Sequence, residues 1–218
     1  MNNHPAQAKI LVISGPFGSG KSTVSQLAAS ALRGFGKTVQ VVALDEVSKQ
    51  VVNDNLMLRH ELADAFGDEV LNEDTSLNRS TLADIAFADE QSTTTLNEIV
   101  HPPTVELARH HVAATLEAEG LPIIEMPFPA THMAGVFEQS GAKVIVWAVQ
   151  AHEDARIGRG LSDGYSLKDV LRRMSRQPHE DDYIAEANVL IRNDGDLADL
   201  LLTVQANLQA SHLIYPNI

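Results

Sequence analysis

Residues 15–22 read Gly15-Pro16-Phe17-Gly18-Ser19-Gly20-Lys21-Ser22, a complete G-x-x-x-x-G-K-[ST] phosphate loop, directly after the apolar run Ile10-Leu11-Val12-Ile13. Few local patterns constrain a fold as tightly. The run supplies a buried strand and the glycines let backbone N–H groups turn inward. Thr23-Val24-Ser25-Gln26-Leu27-Ala28-Ala29 then supplies a helix whose N-terminal dipole favours phosphate. Lys21 is placed to reach the outer phosphates, and the Ser22 hydroxyl suits a magnesium ion. A strand, loop and helix in this order belong to an α/β sheet. The expected ligand is a nucleoside triphosphate, with Gly15, Pro16, Phe17, Gly18, Ser19, Gly20, Lys21, Ser22 and Thr23 as its candidate binding residues.

The pattern continues along the chain. Strand-like runs recur at 9–14, 38–44, 121–126, 142–149 and 188–192 with helical patterns between them, which predicts a five-stranded parallel sheet covered by helices on both faces. After Pro103 a helical face of Val105, Ala108, Val112 and Leu116 stops at Gly120, and a further helix is expected over 197–208. Two regions break the alternation. One is 45–120, helical in pattern and without a strong strand; the other is 151–187, which carries most of the arginines of the second half. Insertions after sheet strands are where acceptor-binding elements and lids are mounted, because ligands gather at the strands' C-terminal ends. The expectation is one P-loop domain over 1–218, with a helical insertion at about 45–120 and a lid at about 151–187.

Composition narrows the function classes. A chain of 218 residues with 44% hydrophobic content can bury one good core. Its formal net charge of -13 argues against a broad nucleic-acid footprint, so an anionic ligand must be held by a local positive site. No cysteine means no thiolate metal site, no cysteine nucleophile and no disulfide, which fits the cytoplasm. The start, Met1 to Lys9, has no apolar h-region and no later stretch reaches the length of a membrane span, so no membrane partner is expected.

Further residues carry candidate chemistry. Asp45 closes the run Val39-Gln40-Val41-Val42-Ala43-Leu44, which in a parallel sheet puts it at the same edge as the phosphate loop. A carboxylate there can accept the proton of an attacking hydroxyl, or it can simply cap a helix starting near Glu46. Glu125 closes the third strand and suits a magnesium ion through water, or serves as an ordinary strand-end acid. Arg156 and Arg159 sit in a helical segment before the flexible turn Gly160-Leu161-Ser162-Asp163-Gly164; on a lid they would neutralise a transferring phosphate, and elsewhere they would be solvated. His110 and His111 are adjacent on a helical pattern, so their side chains diverge, and no zinc spacing occurs among the nine histidines.

Taken together, several separated segments resemble the dephospho-CoA kinase family, which phosphorylates the ribose 3′-hydroxyl of dephospho-CoA with ATP. Asp45-Glu46-Val47-Ser48-Lys49-Gln50-Val51-Val52 is similar to that family's D-x-I-A-R-x-V-V, whose leading aspartate is the proposed catalytic base. Phe66-Gly67, Leu77 to Leu82, Phe87 and Leu96-Asn97-Glu98-Ile99-Val100-His101-Pro102 follow in the family's order. They resemble the subdomain that receives the CoA-like acceptor, which implies acceptor-binding roles for Arg79, His101 and Asp45. Arg156 resembles the first lid arginine, Arg173 to Gln177 the R-I-x-x-Q helix, and Ala187 to Asn193 the A-D-x-V-I-x-N segment. The resemblance thus implies ATP and magnesium as cofactors, a small-molecule acceptor, Lys21, Asp45, Arg156 and Arg159 as catalytic residues, Asn193 at the nucleotide, and Ser22 with Glu125 at the metal.

The chain also departs from that pattern. The family's D-A-D is Ala43-Leu44-Asp45 here, its P-L-L-x-E is Pro127-Phe128-Pro129-Ala130-Thr131, and its lid arginine pair is one residue closer. The stretch from Lys21 to Asp45 is longer than usual and also resembles uridine kinases. Two alternatives therefore stand beside dephospho-CoA phosphorylation: another small-molecule P-loop kinase, and a nucleotide-binding regulatory protein without turnover.

Overall fold

Strand β1, Lys9–Ser14, is the central strand of the sheet in the computed structural model, which describes residues 7–130 and 140–214. Ile10, Leu11, Val12 and Ile13 are all at most 1% exposed, as a strand covered on both faces requires. The other strands are β2, Val39–Ala43; β3, Leu121–Met126; β4, Lys143–Gln150; and β5, Val189–Arg192. They pair in the order β2-β3-β1-β4-β5, every pair parallel. Ile13 lies between Glu125 of β3 and Trp147 of β4 in register. The strand order reverses at β1, so the loop leaving β1 emerges where α/β sheets bind ligands.

The described residues divide into two compact units, one within Met1–Ala43 and His111–Ile218, the other Leu44–His110. In the sheet unit, helix α1, Lys21–Gly34, buries Val24, Ser25, Ala28, Ala29 and Leu32, a single stripe at helical spacing. The last helix of this unit, Leu197–Ala210, is capped by the Asp196 side chain accepting from Asp199 N and buries Leu200, Val204 and Leu208. Both stripes close on Leu11, Ile13, Ile145, Trp147 and Val149 in one core. Each fully buried leucine of that core contributes about 1.5–3 kcal/mol. Ile10, Val12, Ile124 and Met126, which alternate with these, are buried as well, so the opposite face is also covered.

The second unit is helical. It holds α2, Leu44–Asp54; α3, Leu56–Phe66; a 3-10 turn, Asp68–Val70; α4, Arg79–Ala86; and the first part of α5, Glu90–Glu117. Asn55 caps α3 and Asn78 caps α4, each side chain accepting from the N–H three residues on. The core is Val47, Val51, Val52, Leu58, Leu62, Phe66, Val70 and Leu82, all 8% exposed or less. An isolated bridge from Leu71 to Leu77 is the β pairing found among its described residues.

Two expectations need correction. Asp45 does not close a strand: pairing ends at Ala43, opposite Glu125, and Asp45 stands in the first turn of α2. Asp45 and Glu46 favour that turn because acidic side chains complement a helix N-terminus. Nor does a helix begin after Pro103, since α5 starts at Glu90 and runs through Pro102 and Pro103. Proline removes ladder donors there. The Thr104 hydroxyl donates to Val100 O at 2.7 Å and ties the two sides of the proline pair together.

The lid region 151–187 resolves into three helices: α6, Glu153–Ser162; α7, Leu167–Ser175; and α8, Glu180–Ile184. Ser166 caps α7, accepting from Asp169 N at 3.1 Å while its hydroxyl donates to Asp169 Oδ2 at 2.6 Å. The helix Leu197–Ala210 is α9. Among the described residues no helix is long and apolar enough to cross a membrane. Thr131, where the sequence loses a family glutamate, lies outside the described residues.

Candidate active site

The phosphate loop is shaped by glycines in conformations other residues avoid. Gly18 has φ 73° and Gly20 φ 93°. A Cβ on Gly18 would stand 2.7 Å from Arg156 O, and one on Gly20 would overlap the Asn193 amide. Ser19 N donates to Pro16 O at 3.2 Å and closes the turn, and α1 begins at Lys21 with Gly20 as its N-cap. The first turn of α1 therefore presents its N–H groups at the loop, the arrangement that holds phosphate. Lys21 Nζ donates to Pro16 O at 3.2 Å, so the ammonium lies across the mouth of the loop.

Ser22 and Glu125 meet. The Ser22 hydroxyl donates to Glu125 Oε1 at 2.5 Å, bringing the end of the loop to β3. These are two hard oxygens, and Ser22 is exposed, so waters have access. Magnesium takes oxygen donors and keeps part of its water shell, and this pair fits it.

Arg156 and Arg159 reach the same loop from α6. Arg156 Nε donates to Phe17 O at 2.8 Å, and Arg159 Nη1 donates to Gly18 O at 2.9 Å and Ser19 O at 3.2 Å. Arg159 Nη2 donates to Asn193 O at 2.7 Å. The loop thus gives its carbonyls to the arginines and keeps the N–H groups of the following helix turn for a ligand. Burial holds the Arg156 guanidinium below the usual arginine pKa, with Glu180, Tyr183 and Glu153 acting in the opposite sense. It stays charged at any physiological pH.

Asn193 directly follows β5 and is 6% exposed, with its Nδ2 donating to Ser19 O at 2.8 Å. It supports the loop from below. Its neighbour Asp194 accepts from His152 N at 2.7 Å, tying the loop after β5 to the start of α6. Beside the loop a groove of about 770 Å³ runs along the outer face of α1, lined by Ser22, Thr23, Gln26, Leu27, Ser30, Arg33 and Leu197.

The acceptor candidates lie in the helical unit. Asp45 is exposed. Arg79, first residue of α4, donates through Nη2 to Asn53 Oδ1 at 2.8 Å and to Lys49 O at 3.3 Å, which ties α4 to α2. His101 is exposed and lies inside α5 just before the proline pair.

Sequence alone does not show how the 151–187 segment grips the loop. Gln177 Oε1 accepts from Phe17 N at 2.7 Å, and the Phe17 ring meets Tyr165 edge-on at 5.6 Å between centres. The Arg173 guanidinium lies 4.5 Å from the Tyr165 ring centre and 5.7 Å from that of Phe17. One signal was present in the sequence. An aromatic residue inside a glycine-rich loop has no phosphate to hold and needs a packing partner.

The chain is similar to known proteins. The family model described as dephospho-CoA kinase matches residues 9–199. A dephospho-CoA kinase of Corynebacterium glutamicum is 33% identical over 189 residues, covering 86% of this chain and 92% of that protein. The chain belongs to the dephospho-CoA kinase family. A second relative, the dephospho-CoA kinase of Syntrophotalea carbinolica, is 32% identical over 188 residues, 86% of this chain and 85% of its own length. Among solved structures, a Thermus thermophilus protein aligns with TM-score 0.72 at 28% identity, covering 96% of this chain and all of that one. The dephospho-CoA kinase of Campylobacter jejuni aligns with TM-score 0.63 over 93% of this chain and 97% of its own; at 14% identity that likeness concerns the fold.

Within the dephospho-CoA kinase family, the closer arginine spacing of this chain is harmless to geometry. Residues three apart share a helix face just as residues four apart do, and both guanidiniums here reach the loop. Ala43, which replaces the family's first aspartate, lies in register with Glu125.

Proposed function

We propose that this chain transfers the γ-phosphoryl group of ATP to the ribose 3′-hydroxyl of dephospho-CoA, giving CoA and ADP. The family match carries this reading, because residues 9–199 include the phosphate loop, the helical unit and the lid. The amides at the end of the loop and in the first turn of α1 hold the β and γ phosphates, since the Phe17 N–H is already taken by Gln177 and Pro16 has none, and Lys21 adds charge at the outer oxygens. Ser22 and Glu125 would hold magnesium, which neutralises the polyphosphate when bound. Asp45 takes the proton of the acceptor hydroxyl as its oxygen bonds to the γ-phosphorus and the bond to the ADP oxygen breaks. Arg79 and His101 bind the acceptor. Asn193 supports the nucleotide end through the loop, and Arg156 with Arg159 screens the charge that develops during transfer.

The test is acceptor-dependent ADP release over a panel of dephospho-CoA, uridine, cytidine and nucleoside monophosphates. The reading expects release with dephospho-CoA far above every other acceptor, with CoA as the product. Release with uridine or cytidine instead makes the chain a nucleoside kinase. ATP binding with no acceptor-dependent release makes it a regulatory nucleotide binder.

A further inference from the structure

The loop carries a feature that phosphate binding does not use. Phe17 sits at its tip, half-buried, with both its peptide groups taken by the lid: its N–H goes to Gln177 and its carbonyl to Arg156. Its N–H is therefore not presented to a phosphate. Its ring packs edge-on to Tyr165, from the turn between α6 and α7, and Arg173 of α7 lies within cation–π reach of both rings. Gly160 of α6 completes the seat. A Cβ there would come within 2.9 Å of Phe17 Cε1 and 2.7 Å of Val170 Cγ2, so the ring packs against bare helix backbone.

We propose that Phe17, Tyr165 and Arg173 form a clasp that fixes the lid on the phosphate loop, making Phe17 a positioning residue for Arg156 and Arg159. The arginines hold the loop only through backbone oxygens, Arg156 by one hydrogen bond and Arg159 by two. Those bonds need α6 at one height and one rotation over the loop. A ring seated against Gly160 and gripped by Tyr165 and Arg173 supplies both restraints, from α6 and α7 at once. Gln177 adds a third point on the same residue. Arg173 and Gln177 are one helical turn apart in sequence, so the segment at the end of α7 approaches Phe17 through a cation and an amide together.

The inference rests on the reading of the chain as an ATP-dependent phosphotransferase, and its test separates the two. Binding of a non-hydrolysable ATP analogue with magnesium, with no acceptor present, is measured for the unaltered protein, Phe17→Ala, Arg173→Ala and the double variant. Each single change is expected to weaken binding about five- to tenfold, in line with one lost ring contact and one lost cation–π contact. The double variant should lose little more than either alone, because removing one partner already opens the clasp. Phe17→Tyr, which keeps the ring, should recover most of the loss. With ATP, Phe17→Ala should raise acceptor-independent hydrolysis relative to transfer, since a badly seated lid admits water. Thermal unfolding of each variant identifies any change caused by misfolding, and Arg173→Ala tests the clasp without altering the loop.

Single changes that leave analogue affinity unaltered, or that add in the double variant, would overturn the clasp. If the unaltered protein binds the analogue but phosphorylates no dephospho-CoA, the functional reading fails and the binding cycle still decides the clasp.

Discussion

The sheet unit and the helical unit hold their candidate residues in opposite ways. In the sheet unit the bonds span the chain: Arg156 to Phe17 joins residues 139 apart, Gln177 to Phe17 160 apart and Asn193 to Ser19 174 apart. In the helical unit the bonds are near neighbours: Arg79 meets Asn53, 26 residues away, and Arg59 meets Val52, 7 away. A loop closed by distant partners forms only when the whole unit has folded, because the entropy of closing long loops must be met first. The phosphate loop is therefore held cooperatively, by contacts that form together. The helical unit is assembled from local turns and caps, which tolerate change one element at a time.

The largest effect should come from breaking the long-range side at its charge. Lys21→Ala leaves the backbone cradle and removes the cation at its mouth, so acceptor-dependent ADP release should fall on the order of 10²–10³-fold. A loss under tenfold in steady-state kinetics would mean that the phosphates are held elsewhere. Asp45→Asn tests the other side. It keeps shape in the exposed first turn of α2 and removes the base, so kcat should fall about 10²-fold or more with ATP affinity unchanged. An unchanged kcat would leave Asp45 as the helix-terminal acid it also is.

A smaller effect is expected from Arg79→Ala. Its bonds to Asn53 and Lys49 are local and exposed, so unfolding free energy should drop by no more than about 1 kcal/mol. The KM for dephospho-CoA should rise roughly tenfold while the KM for ATP stays put, about what one charge-assisted hydrogen bond is worth. If both KM values rise together, the contrast between a locally built helical unit and a phosphate loop held by long-range bonds is wrong.

The same contrast explains what could be read from the sequence. The strands were legible because β1 and its neighbours are continuous apolar runs, and the loop because its glycines, lysine and serine are contiguous. The boundary at Asp45 was misread because Leu44, apolar and next to a strand, is already helical; the acids that follow it favour a helix start over another strand residue. The start of α5 was hidden by Pro102 and Pro103, which in sequence read as a stop. Local signals do not identify long-range partners, even where, as at Phe17, the residue type shows that one is needed. Nothing near Phe17 announces Gln177, and nothing near Ser19 announces Asn193.

The finest test uses pH, through one titrating group in each unit. In the helical unit, bonds from the Ser76 side chain and backbone hold the exposed Asp74 carboxyl below its usual pKa. Its contribution is present above the ordinary carboxylate range and is lost as pH falls through the lowered value. In the sheet unit, Tyr183 is 1% exposed and its hydroxyl donates to Pro127 O at 2.9 Å, pinning α8 to the segment after β3. Burial pushes its phenol from the ordinary 10.0 up to about 12, with Arg156 opposing and Asp182 assisting. The sign is therefore the reverse: this stabilisation is complete below pH 10.0 and is lost as pH rises through about 12. Tyr183→Phe removes the hydrogen bond, costing about 0.5–1.5 kcal/mol at pH 8, and removes the alkaline loss with it. Urea unfolding of the two proteins at pH 8, 10 and 12 should show a gap that closes at the alkaline end. A gap that stays constant to pH 12 would mean that the phenol does not carry the alkaline sensitivity of the sheet unit.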